Sequence, residues 1–173
     1  MSEKREISMR VNGEKVTVQA DIRDTLQDIL REKLEKRGVK HGCEAEGCGA
    51  CTVLVNSENV YSCMFPAMNA DGKDVTTIDG LGSEQELDRI QYEFMNEWAF
   101  QCGYCTPGFI MAVKAMESEV RKDPRVVESI HGGDLDEYIK DGLTGHICRC
   151  TGYIPIHQAA RKRLDEIMNA GRS

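Results

Sequence analysis

Gly42-Cys43-Glu44-Ala45-Glu46-Gly47-Cys48-Gly49-Ala50-Cys51 is the stretch on which the reading of this chain turns. Its cysteines are spaced C-x4-C-x2-C, and Cys63 follows after eleven intervening residues. That is the plant-type spacing for a 2Fe-2S cluster. Soft thiolates converging on one place can hold two ferric ions whose remaining coordination is bridging sulfide. Glycine and alanine alternate with the ligands, so the backbone can wrap tightly, take positive φ and turn N–H groups toward sulfur. Glu44 and Glu46 read as solvated rim charges. His41 could pass for a Rieske-type ligand, but four cysteines complete the site, and it reads as structural.

Four more cysteines lie further on: Cys102 and Cys105 as C-x2-C, then, forty-two residues later, Cys148 and Cys150 as C-x-C. Disulfides suit short secreted chains, whereas this N-terminus has no apolar signal segment and 173 residues can bury a core without staples. Structural zinc normally uses paired short knuckles, which the first group does not match. In the second group, spacing alone does not separate zinc from iron and sulfide. The sequence around it adds a reason. Two helices are expected to begin just after cysteine pairs, at Thr106-Pro107 and at Pro155. Two ferric ions, two sulfides and four thiolates carry net negative charge, which grows on reduction, so helix N-termini stabilise such a site. Zinc would gain less, which favours iron and sulfide. Arg149, between two proposed ligands, reads either as a charge that favours the reduced site or as a salt bridge or subunit contact.

The first half reads as strands around one helix. Residues 7–20 alternate about Asn12-Gly13, with Val11 before it and Val16, Val18 and Ala20 after, which predicts a β-hairpin. Asp24 can cap a helix whose third position is Gln27, with Leu26, Ile29, Leu30 and Leu34 on its apolar stripe and Gly38 as its stop. Thr52 to Val55 reads as a strand, Asn56 to Asn59 as a turn, Tyr61 to Cys63 as the return, and Val75 to Ile78 as a strand closing the sheet. After Gly80-Leu81-Gly82 the apolar period lengthens to the helical one. Ser83 with Glu86 reads as a capping box, with Leu87, Ile90, Phe94 and Trp98 on one face of a helix running into Cys102. Ile110, Val113, Met116 and Val120 continue the helix after Pro107, and Ile156, Ala160, Leu164 and Ile167 the one after Pro155. Phe94, Trp98 and Phe100 read as core anchors. The expected architecture is α+β, with a β-grasp ferredoxin-type domain at 1–82 and a helical domain at 83–173.

Lys and Arg total 22 against 29 Asp and Glu. The excess is even along the chain, with no basic patch to suggest nucleic acid or anionic membrane. Apolar stretches are far short of a membrane span, so the chain reads as soluble and cytoplasmic. There is no Ser-His-Asp or Cys-His arrangement, paired-carboxylate motif, P-loop or G-x-G-x-x-G. His131, His146 and His157 have no mutual spacing that makes a site.

Three runs, Gly42-Cys43 to Cys51-Thr52-Val53, Gln101-Cys102-Gly103-Tyr104-Cys105-Thr106-Pro107-Gly108, and Cys148-Arg149-Cys150-Thr151-Gly152-Tyr153, resemble the iron-sulfur small subunit of the molybdenum hydroxylases. That is the xanthine dehydrogenase, aldehyde oxidoreductase and carbon monoxide dehydrogenase family. The resemblance implies one 2Fe-2S cluster in a plant-type ferredoxin domain and a second in a C-terminal four-helix bundle. It implies that the cluster of Cys102, Cys105, Cys148 and Cys150 lies nearest a molybdopterin on a separate large subunit, with Gln101 and Cys150 approaching that pterin. The other cluster would pass electrons onward, usually to an FAD-binding medium subunit. Two departures stand out. About ten extra residues near Arg125 to Leu135 look like an inserted surface loop, and His146 stands where the family commonly has asparagine. The expected function is electron transfer with no bond chemistry on this chain. Alternatives are a free-standing ferredoxin-like carrier, a zinc-stabilised interaction module, or a reductase subunit of the same family with electrons running inward.

Overall fold

The computed structural model describes residues 4–43, 47–83 and 85–170; Glu44 and Glu46, read as rim charges, lie outside them. The expected hairpin forms from β1 (Lys4–Val11) and β2 (Glu14–Asp21), with Val11 paired to Glu14. Asn12 at φ 52° and Gly13 at φ 86° make the two-residue turn whose twist matches the strands. Strands β3 (Thr52–Val55), β4 (Glu58–Tyr61) and β5 (Asp74–Thr76) complete a sheet of order β2-β1-β5-β3-β4. β5 runs parallel to β1 and antiparallel to β3. Ile7, Met9, Val11, Val53, Val55 and Val75 form one core with Leu26, Ile29 and Leu30 of helix α1 (Leu26–Asp28), which continues as a π-helical turn through Lys33.

Several details differ from expectation. Thr25 caps α1, in a reciprocal capping box with Asp28. Asp24 instead accepts from Asp21 N–H at 2.9 Å and from Lys33 Nζ at 2.6 Å. The helix ends before Glu35, which has φ 54°, and not at Gly38. Gly38 has another reason to be glycine: a Cβ there would fall 2.1 Å from Ile78 Cγ2. The return strand is Glu58–Tyr61, beginning three residues before the expected Tyr61 to Cys63, because Asn56 and Ser57 (φ 52° and 70°) turn the chain within two residues. The closing strand stops at Thr76, and Ile78 lies in a 3-10 turn, Ile78–Gly80.

The second half is helical: α2 (Arg89–Asn96), α3 (Thr106–Lys122), α4 (Val126–His131), α5 (Leu135–Gly142) and α6 (Ile154–Ala170). α2, α3 and α5 pack on α6 as a four-helix bundle, with Ile90, Phe94, Phe109, Val113, Ile139, Ile156 and Leu164 inside. α2 is capped by Asp88 with Gln91, while Ser83 and Glu86 only close the turn before it. Phe94 is a core anchor. Trp98, at φ 53°, has left the helix and is 77% exposed, and Phe100 also reaches solvent. The extra residues form no loop: α4 ends in a left-handed Gly132 whose N–H bonds Glu128 O, and α5 starts at once, with Val127 buried in the bundle. Among the described residues, no helix is long and apolar enough to cross a membrane.

β3 joins the halves. Its odd-numbered Val53 and Val55 face the sheet core, and Leu54 packs on Met111 and Ala115 of α3, so all four residues are buried.

Candidate metal centres

The first four cysteines sit where short elements end: Cys43, Cys48 and Cys51 in the segment leading into β3, and Cys63 just after β4. Cys51 Sγ and Cys63 Sγ are 3.3 Å apart, and the Cys48 thiol interacts with that of Cys43. The sulfurs therefore stand two and two. The second set repeats the arrangement, with Cys102 and Cys150 Sγ 3.7 Å apart and Cys105 beside Cys148. All eight are free of disulfides. Two thiolates bound at about 2.3 Å to one tetrahedral ion lie about 3.8 Å apart, near the spread of Cys51 with Cys63 and of Cys102 with Cys150. Among the described residues, no three His, Cys, Asp or Glu side chains gather about a single ion position. Two pairs side by side suit a two-iron group bridged by sulfide better than one zinc. The donor set fits two 2Fe-2S clusters.

The thiol energetics agree. Burial, then the adjoining sulfur, pushes Cys63 and Cys105 up to about 12. Four ionised sulfurs would repel one another in place, and bound ferric charge removes that cost. At Cys148 burial raises the thiol, but bonds from Thr151 outweigh it and leave it lowered. The Thr151 hydroxyl and N–H reach Cys148 Sγ at 3.1 and 3.4 Å. Tyr153 Oη accepts from Cys148 N–H at 3.0 Å. As expected, α3 and α6 begin within a few residues of this set, and Cys105 stands at the N-cap position of α3 without a side-chain capping bond.

The two cysteine sets meet along a seam. Ile147 N–H donates to Cys48 O at 3.0 Å, and Tyr104 Oη to His41 O at 2.7 Å. His146 Nε2 lies 2.9 Å from Thr52 Oγ1. Burial lowers His146 to about 4, so it is neutral at pH 7. Gly108, in the first turn of α3, touches the cluster loop: a Cβ there would fall 2.1 Å from Gly49 O. Gly108→Ala must push α3 off the loop at a cost of about 1–3 kcal/mol. Thermal unfolding of the purified iron-loaded chain should show it melting about 5 °C lower. An unchanged midpoint would mean that α3 and the loop are not in close contact at Gly108.

Gln101, Cys102 and Cys150 are all exposed, so this end of the second set faces outward. Near these residues in the chain, Trp98, Tyr104, Ile147, Tyr153 and Ile154 are exposed. Arg149 is exposed, between Cys148 and Cys150. His41 supplies its carbonyl to Tyr104, in keeping with a structural part. His131 and His157 stand apart, near Asp141 and Asp136. Sequence reasoning passed over Thr52 and Gly108 as contact residues, since their partners are remote in the chain.

Comparison with known proteins agrees with this geometry. Residues 9–77 match a 2Fe-2S iron-sulfur cluster binding domain, and residues 77–161 a 2Fe-2S binding domain. The chain is 41% identical over 169 residues to a probable xanthine dehydrogenase subunit of Bacillus subtilis, covering 98% of this chain and 90% of that one. It is 36% identical over 163 residues to the nicotinate dehydrogenase small FeS subunit of Eubacterium barkeri, covering 94% and 97%. Among solved structures, a chain of quinoline 2-oxidoreductase from Pseudomonas putida 86 superposes with TM-score 0.82 at 30% identity, covering 99% and 98%. The aldehyde oxidoreductase of Desulfovibrio gigas superposes with TM-score 0.80 at 31% identity, covering 98% of this chain but 18% of that longer one.

Proposed function

We infer the role of this chain from its family: it belongs to the iron-sulfur small subunits of the molybdenum hydroxylases, and it is the electron-transfer subunit of a multi-subunit oxidoreductase with a separate large subunit. We propose that Cys43, Cys48, Cys51 and Cys63 hold one 2Fe-2S cluster and Cys102, Cys105, Cys148 and Cys150 the other. The observation that carries this is the pairing of sulfurs in both sets, 3.3 Å for Cys51 with Cys63 and 3.7 Å for Cys102 with Cys150. When bound, each cluster takes up and returns one electron. The chain itself excludes water from the buried sulfurs, donates N–H and O–H groups to them, and fixes the spacing between the two sets.

The second cluster is the one that meets the large subunit, with Gln101 and Cys150 facing its molybdopterin. The support is exposure: Gln101 and Cys150 reach solvent, and the exposed apolar side chains of Trp98, Tyr104 and Ile154, near them in the chain, suit burial against a partner. An FAD-binding medium subunit takes electrons from the first cluster, the complex works in the cytoplasm, and the chain divides near residue 82. To test this, the chain is tagged in its native host, purified without oxygen, and its companions identified by mass spectrometry, with iron, molybdenum and flavin measured. A molybdopterin-bearing large chain and about four irons per copy of this chain are expected. A lone iron-loaded chain, or one zinc per site, would overturn the assignment.

A further inference from the structure

Of the four histidines, His146 alone is buried, at 4% exposure. Its ring lies between Tyr61 of β4 and Phe109 of α3, with centroids 5.8 and 5.3 Å away, so it touches both halves of the molecule. Thr52 Oγ1 is 2.7 Å from Gly49 O as well as 2.9 Å from His146 Nε2. A hydroxyl has one hydrogen. It donates to the Gly49 carbonyl, so the imidazole Nε2–H donates to Thr52. The ring is also seated directly on the first cysteine loop, since a Cβ on Gly49 would fall 2.3 Å from His146 Cδ2. Gly49 and Thr52 flank Ala50 and Cys51. On the other side, His146 precedes Cys148 by two residues, and the intervening Ile147 N–H donates to Cys48 O.

One side chain therefore clamps the loop of the first cysteine set to the loop of the second. We propose that His146 is a positioning residue that fixes the separation and orientation of the two cysteine sets and so sets the electron transfer between the groups they hold. The inference rests on the two-cluster reading above. The step it governs is the passage of one electron from one cluster to the other, with no bond made or broken and no proton taken up. Such transfer is steeply sensitive to distance, and the seam that holds the distance depends on a ring filling the space between Tyr61 and Phe109 and on a donor reaching Thr52.

The test uses the whole complex, purified without oxygen. Variants are His146→Leu, which fills space but donates nothing, His146→Gln, whose amide can restore the donor, and Thr52→Val, which removes the acceptor. Iron and sulfide content and the separate g-values of the two clusters report assembly. The readouts are the magnetic splitting between the clusters in the dithionite-reduced state and the rate of inter-cluster transfer in rapid mixing. His146→Leu and Thr52→Val should both weaken the splitting and slow transfer several-fold. His146→Gln should recover most of both. Wild-type splitting and rate in Thr52→Val would overturn the proposal, as would equal loss in His146→Gln and His146→Leu. Should His146→Leu fail to take up iron, Thr52→Val and His146→Gln decide. A wild-type complex lacking two paramagnetic clusters would overturn the two-cluster reading instead, a distinguishable result.

Discussion

A Cys105→Ser chain is expected to lose the second cluster and keep the first. Cys105 lies beside Cys148, in the half of its site that points into the bundle, and its thiol is already held up at about 12 by burial and by that neighbour. Bound iron overcomes this because thiolate is a soft, strong donor. A serine hydroxyl is harder and far less acidic, so the iron shared with Cys148 would be left short of a ligand. The first set is built on another core, that of Leu26, Ile29, Val53 and Val75, and closes without help from Cys105. Iron should fall from about four to about two per chain, with one electron paramagnetic resonance signal remaining after dithionite reduction. Turnover of the complex should fall to background while molybdenum content stays. Two signals and normal turnover would show that Cys105 is not a ligand.

What could be read from the sequence follows the range over which the physics acts. The hairpin at Asn12-Gly13 was legible because turn and alternation are local, and both cysteine sets because ligand spacing is. Failures begin where two local answers compete. Asp24 and Thr25 can both cap a helix, and Lys33, nine residues from Asp24, draws that carboxylate away and leaves the cap to Thr25. Trp98 continues the helical period, yet the chain turns at φ 53° before it can. Gly132-Gly133 reads as loop, although the first glycine is the left-handed stop that lets α4 hand over to α5. His146 could be noticed only as a departure from asparagine, since the Thr52 that explains it is 94 residues away.

The same blindness hid Glu117, which sits on α3 next to the expected apolar position Met116 and looks like a surface charge. The Glu117 side chain is only 3% exposed and takes Arg163 of α6 in a two-pronged bond, Nε at 2.8 Å and Nη2 at 3.2 Å. It also accepts from Lys114 Nζ at 3.0 Å, and Lys114 reaches on to Asp88, the cap of α2, at 2.9 Å. Glu117 thus ties α3 to α6 directly and, through Lys114, to the cap of α2. Burial disfavours the Arg163 charge, but its bonds to Glu117 and then Glu166 outweigh that and hold it firmly protonated. Glu117→Ala removes the buried partner and leaves the guanidinium with only the half-exposed Glu166, a loss of about 3 kcal/mol. For a chain of this length that lowers the melting temperature by roughly 10 °C. Glu117→Leu combined with Arg163→Met should recover most of the loss, because an apolar pair of similar size leaves no charge unpaired. Anaerobic thermal melts of the iron-loaded chain, followed by circular dichroism, separate the cases. A double variant no more stable than Glu117→Ala would mean that the wider network through Lys114 and Asp88, and not the charge left behind on Arg163, is what the bundle loses.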